Sequence, residues 1–149
     1  MNVLAHDPAL STEVISSRGA ESATFEILLQ RSDIISLHVP LTEGTTKLID
    51  RTAMSQLKPG SWVICTSRGG IVDEQALITA LKDGKLGGAA LDVFEHEPPR
   101  SANLLEQPNL ILTPHIAGQT HEAQARVAED IAHEVLSALR GAEPRWRVI

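Results

Sequence analysis

SWVICTSRGGIVDEQALITALKDGK, residues 61–85, is the stretch on which the fold turns. Its first seven residues follow the turn signal Lys58-Pro59-Gly60. They form a short apolar run, continuous rather than alternating, as a strand buried on both faces requires. Gly69 and Gly70 then let the backbone turn. Asp73 opens a helix, because an aspartate at that position accepts hydrogen bonds from the free N–H groups of the first turn. Ala76, Leu77, Ala80 and Leu81 give the helix one apolar face, and Gly84 stops it.

The same alternation continues outward. Residues 34–40 (IISLHVP), 88–94 (GAALDVF) and 110–114 (LILTP) are further short apolar runs that read as buried strands. Residues 50–60 read as a helix capped by Asp50 and stopped by Pro59-Gly60, and residues 17–33 (SRGAESATFEILLQRSD) as another before the Ile34 strand. A long helix is predicted over residues 120–140. Its Val127, Ile131, Val135 and Leu139 recur every fourth residue as a stripe for burial, and Gly141 and Pro144 end it. Strands alternating with helices give an α/β fold: a parallel sheet with flanking helices.

The totals are those of one domain. The chain has 149 residues, 42% apolar but only 3% aromatic, so its core is aliphatic. A net charge of −6 without runs of like charge argues against nucleic acid and against a polybasic membrane contact. No apolar run approaches membrane-spanning length, and the N-terminus lacks an export signal. The single cysteine, Cys65, sits inside an apolar run; it reads as a small buried residue rather than a nucleophile and points to a reducing, cytoplasmic setting. His96-Glu97, His121-Glu122 and His133-Glu134 never extend to H-E-x-x-H, so no metal is expected.

Three groups leave strand ends. Arg68 follows the strand of residues 61–67, at the carboxyl edge where open α/β sheets bind ligands. A guanidinium there can grip a carboxylate with two parallel hydrogen bonds, or it can cap the turn by pairing with Asp73; both readings stand on this stretch. Asp92 lies late in a buried strand, where an isolated charge is costly, and Glu95 and Glu97 follow on an exit loop pinned by Pro98-Pro99. His115 follows Pro114, with Ala117-Gly118 behind it, and a histidine titrates where it can move a proton. One Arg, one Glu and one His converging on one rim form a candidate catalytic set. His6, His38, His121 and His133 read as surface or core residues, His38 being a candidate to line the cleft.

The opening MNVLAHDPAL adds a fourth strand end. The run from Val3 meets Asp7 and a proline, as the second strand of a dinucleotide-binding domain does, its carboxylate accepting from the ribose hydroxyls of NAD. HVPLTEGTTKLID, SRGGIVDEQAL, GGAALDVFEHEP and NLILTPHIAGQT complete the pattern. With these stretches in order and compatibly spaced, residues 3–139 resemble the D-isomer-specific 2-hydroxyacid dehydrogenases, the family of phosphoglycerate dehydrogenase and glyoxylate/hydroxypyruvate reductase. The resemblance implies a Rossmann-like NAD-binding domain and an oxidoreductase acting on the CH–OH group of a D-2-hydroxy acid. It implies that Arg68 grips the substrate's carboxylate and C2 oxygen, that His115 is the acid/base and that Glu97 is its partner. It also implies that Asp92 meets the nicotinamide carboxamide and Asp7 the adenosine ribose, with Pro40, Thr66, Ser67 and Gly118 lining the cofactor cleft.

The chain departs from that family in two ways. Cys65 stands where relatives often carry asparagine. The first strand, the glycine-rich phosphate loop and most of the substrate domain are not found in residues 1–149, which therefore read as a partial NAD-binding domain. In the strand order 3-2-1-4-5-6 the first strand is central. The sheet must then pair strand 2 with strand 4 or leave two half-edges open. A fragment, a misplaced start and a truncated copy with another use, such as an inactive regulatory or assembly module, all fit. The expected partners are a small 2-keto or 2-hydroxy acid and a second copy of the chain in a homo-oligomer such as a dimer.

Overall fold

The computed structural model describes residues 1–146 and divides into two compact units, Met1–Pro114 and His115–Ile149. The first unit runs β1 (Leu4–Ala5), α1 (Thr12–Ser17), β2 (Glu21–Ser22), α2 (Phe25–Arg31), β3 (Ile34–Leu37), α3 (Arg51–Gln56), β4 (Ser61–Cys65), α4 (Glu74–Lys82), β5 (Leu86–Leu91), α5 (Ala102–Leu105) and β6 (Leu110–Leu112). The second unit contains α6 (His121–Leu139).

The pairs β1–β2, β3–β4, β4–β5 and β5–β6 are all parallel. They form two sheets, β1-β2 and β3-β4-β5-β6. The chain thus leaves the half-edges open instead of closing strand 2 onto strand 4. The carbonyls of Val3 and Ala5 accept from the N–H groups of Glu21 and Ala23 at 2.9 and 3.0 Å. By the alternation of a strand, Leu4 and His6 turn their backbone groups to the other edge. The Asp33 carbonyl accepts from the Trp62 N–H at 2.9 Å, so Ile34 and Ser36 likewise turn theirs away from β4.

Local sequence sets most element ends. The carboxylates of Asp50 and Asp73 accept from the Ala53 and Ala76 N–H groups at 2.8 and 3.0 Å, capping α3 and α4 as expected. Residues 17–33 do not form the one helix predicted for them. Gly19, at φ 84°, turns the chain out of α1. Glu21–Ser22 then pairs with β1, and a new helix starts only after its cap, Thr24. The Arg31 guanidinium returns to the Glu21 carboxylate across that short strand.

Strand burial also corrects the sequence reading. Ile35, Leu37, Val63, Cys65, Ala89 and Leu91 share one face in register and join Leu29, Met54, Leu77 and Leu104 from α2 to α5 in a single aliphatic core. The opposite face carries Ile34, Trp62 and Ile111, which are 58%, 37% and 59% exposed. The four-stranded sheet is therefore buried on one face, not two. Right-handed crossovers explain the asymmetry: stepping one way from β3 to β6 puts every connecting helix on the same side.

In the second unit, the Thr120 hydroxyl caps α6 by accepting from the Ala123 N–H at 3.1 Å, and Gly141 follows its end. The stripe expected to be buried is exposed: Val127, Ile131, Val135 and Leu139 lie between 51% and 79% accessible. An amphipathic stripe is buried only against another apolar surface, which periodicity alone does not supply. Among the described residues no helix is long and apolar enough to cross a membrane.

Candidate active site

The strand ends of the first unit deliver the site. Cys65 and Leu91 are register partners at the ends of β4 and β5. The pairing runs one residue further, since the Asp92 N–H donates to the Cys65 carbonyl at 2.9 Å and the Thr113 N–H to the Leu91 carbonyl at 3.0 Å. Thr66, Ser67 and Arg68 therefore leave beside Asp92. Asp92 is only 2% exposed. Its Oδ1 accepts from the Thr113 hydroxyl at 2.5 Å, which offsets part of the cost of a buried carboxylate.

Arg68 is exposed, and its Nη1 donates to the Ser67 carbonyl at 2.6 Å. The capping alternative does not hold, because Asp73 accepts from Lys47 Nζ at 3.0 Å instead. The Asp73 carboxyl is held below its ordinary value, first by the Ala76 N–H and then by Lys47. The arginine is thereby left to face solvent from a turn whose shape others fix. Cys65, 1% exposed with its Sγ 3.6 Å from the Ser67 hydroxyl, is the small buried residue expected.

The Arg68 turn and the loop after β5 meet backbone to backbone. A Cβ at Gly69 would lie 1.7 Å from the Phe94 carbonyl oxygen, so only glycine allows this approach. Glu97 Oε1 accepts from the Phe94 N–H at 3.2 Å, closing its own loop. Glu74, in the first turn of α4, accepts from the Glu95 N–H at 2.7 Å. Burial pushes the Glu74 carboxyl above its ordinary value, an effect the Glu95 N–H partly offsets. Arg68, Glu97 and Asp92 thus sit on one tied block.

Asp7 and Pro40 leave other strands. Asp7 follows β1, is exposed, and accepts from the Ala9 N–H at 2.9 Å through Oδ1. Pro40 follows β3, its carbonyl accepting from the Thr45 hydroxyl at 2.6 Å. His38 bonds the Ser36 hydroxyl through Nε2 at 2.8 Å.

His115 and Gly118 belong to the second unit. His115 is exposed and has φ 55°, a left-handed conformation that side-chain-bearing residues rarely adopt. Such backbone strain concentrates at functional sites. The turn behind it is closed by the Gln119 N–H to the Ile116 carbonyl at 2.9 Å, and by Gln124 Nε2 to the Gly118 carbonyl at 3.1 Å.

Sequence reasoning missed Thr113, Glu74 and Lys47. Thr113 had a signal: it lies one residue past its strand, as Asp92 does on the neighbour. Glu74 and Lys47 read as a first-turn acid and a loop cation, and nothing local announced their partners.

The family model for the D-isomer specific 2-hydroxyacid dehydrogenase, NAD binding domain, matches residues 1–117. The chain is 42% identical over 148 residues to a D-3-phosphoglycerate dehydrogenase of Synechocystis sp., covering 99% of itself and 27% of that protein. Among solved structures it superposes on a glyoxylate reductase from Paecilomyes thermophila with TM-score 0.89 at 34% identity, covering 99% of this chain and 45% of that one. It matches a D-lactate dehydrogenase from Aquifex aeolicus complexed with NAD and lactic acid with TM-score 0.83 at 34% identity, covering 95% and 47%. The chain spans less than half the length of each.

Proposed function

The chain belongs to the NAD-binding domain family of the D-isomer specific 2-hydroxyacid dehydrogenases, and from that premise we propose that the whole protein interconverts a 2-keto acid and a D-2-hydroxy acid with NAD. Residues 1–149 are then part of the dinucleotide-binding domain, with the substrate domain outside them. The observation that carries this reading is the block at the ends of β4 and β5. There an exposed guanidinium and the Glu97 loop are packed backbone to backbone beside a buried carboxylate.

The acceptors suit the cofactor. Asp7 presents an exposed carboxylate fit for a ribose diol and unfavourable to the extra phosphate of NADP. Asp92 is a buried acceptor fit for the N–H of a carboxamide. Pro40, Thr66 and Ser67 in the first unit, and Gly118 in the second, are the small or backbone surfaces assigned to the cofactor. When bound, NADH supplies the hydride. Arg68 holds the substrate's carboxylate and C2 oxygen. His115 donates a proton to that oxygen, with Glu97 as the carboxylate partner that the family resemblance implies. In the reverse direction His115 takes the proton back.

The exposed apolar Ile34, Trp62 and Ile111 support a homo-oligomer, a dimer at least. A free, buried Cys65 supports a cytoplasmic setting. Substituting His115 by Ala in the complete protein should lower turnover of glyoxylate or hydroxypyruvate by ~10²–10⁴, the usual contribution of general acid–base catalysis. Wild-type turnover in that variant would remove His115 from the mechanism.

A further inference from the structure

The loop that carries Glu97 leaves β5 with Val93 and Phe94 buried and Glu95, His96 and Glu97 exposed. Two of its backbone N–H groups are taken by carboxylates. Phe94's goes to Glu97 at 3.2 Å, three residues away, a local bond that shapes the loop. Glu95's goes to Glu74 at 2.7 Å, 21 residues away, on a helix seated in the core by Ala76, Leu77, Ile78, Ala80 and Leu81. The second bond is the short, charge-assisted kind that fixes position. It spans the same two segments that touch at Gly69 and Phe94.

A first-turn glutamate normally needs no such partner, because it is stabilised by the helix N-terminus while remaining in water. Glu74 is instead partly buried and turned onto the loop. The charged groups around it are Asp73 on its own element and Glu95 and His96 on the loop, with Lys47 held by Asp73. A second carboxylate in this acidic surrounding is retained at a cost, which its grip on the loop accounts for.

We propose that Glu74 is a positioning residue: by holding the Glu95 N–H it fixes the loop that aims Glu97, and keeps that loop against the Arg68 turn. This rests on the reading of Arg68 and Glu97 as catalytic. Glu74 touches no reacting atom, so its loss should act on kcat through Glu97 and leave substrate capture by Arg68 nearly intact.

The test pairs Glu74→Ala and Glu74→Gln in the complete protein, with Glu97→Gln as the reference. Turnover and KM for glyoxylate are measured alongside amide hydrogen exchange at Glu95, with Leu77 in α4 as the folding check. Glu74→Ala should speed Glu95 exchange while Leu77 stays protected, and should lower kcat by roughly 10- to 100-fold, as about 1 Å of misplacement does, with KM little changed. Glu74→Gln, whose amide oxygen accepts the same bond, should restore both. Unchanged Glu95 exchange in Glu74→Ala overturns the anchor. Faster exchange with wild-type kcat, while Glu97→Gln is impaired, overturns the positioning role. Wild-type kcat in Glu97→Gln would instead overturn the catalytic reading on which it rests, while the exchange result still reports whether Glu74 holds the loop.

Discussion

Gly69→Ala puts one methyl group where the Arg68 turn meets the loop after β5. The added Cβ would lie 1.7 Å from the Phe94 carbonyl oxygen, 2.3 Å from its carbon and 3.0 Å from its nitrogen. All three are backbone atoms, so no side chain can rotate out of the way. Real Cβ contacts do not fall below 3.0 Å, and the two segments must separate by at least about 1.3 Å. That motion works against the Glu74–Glu95 bond and the burial of Phe94, which is 6% exposed. Overpacking costs ~1–3 kcal/mol where side chains can yield, and a backbone clash belongs at the upper end, so a loss of ~2–3 kcal/mol is expected. For a domain of this size that is a fall of roughly 4–12 °C in Tm. Gly44→Ala is the control: its Cβ meets nothing within 4 Å, and the change should stay within ~0.5 kcal/mol. Urea denaturation and thermal melts of the two variants beside wild type make the comparison. Equal stability of Gly69→Ala and Gly44→Ala would refute the backbone contact, and with it the tied block at the site.

Asp73→Ala should cost ~1 kcal/mol through the lost cap of α4, and Asp73→Asn less, since asparagine also caps. The Asp73 carboxyl is lowered in the folded state, so its contribution is present above the ordinary aspartate value and lost as pH falls through the lowered one. The gap between wild type and Asp73→Asn, read from urea midpoints at neutral and acid pH, should therefore close in acid. Replacing Ile34 and Ile111 by Thr removes exposed apolar surface from the bare sheet face and should change stability by no more than ~0.5 kcal/mol each. Sedimentation should show wild type associating more strongly than the double variant, and a strictly monomeric wild type at high concentration would contradict the assembly reading.

Much of the framework was legible because it is decided within a few residues. Asp50, Asp73 and Thr120 cap their helices through N–H groups three positions on, and a capping side chain acts at that range whatever the rest of the chain does. The apolar runs that became β3 to β6 could bury themselves only as strands between helices, and a parallel sheet places Arg68 and Asp92 at its carboxyl edge by connectivity alone. What the tertiary structure decided depends on partners far away in sequence. Glu21–Ser22 is a strand only because Leu4–Ala5 lies beside it; the intrinsic propensities of residues 17–33 favour a helix. The face of the sheet left bare follows from the hand of its crossovers, which hydrophobic runs do not encode. Gly69 is required by the Phe94 carbonyl and Glu74 is engaged by the Glu95 N–H, and neither relation exists until the ends of β4 and β5 are side by side. Residue types and caps are local properties of the chain, whereas close approaches and long-range hydrogen bonds belong to the packed fold.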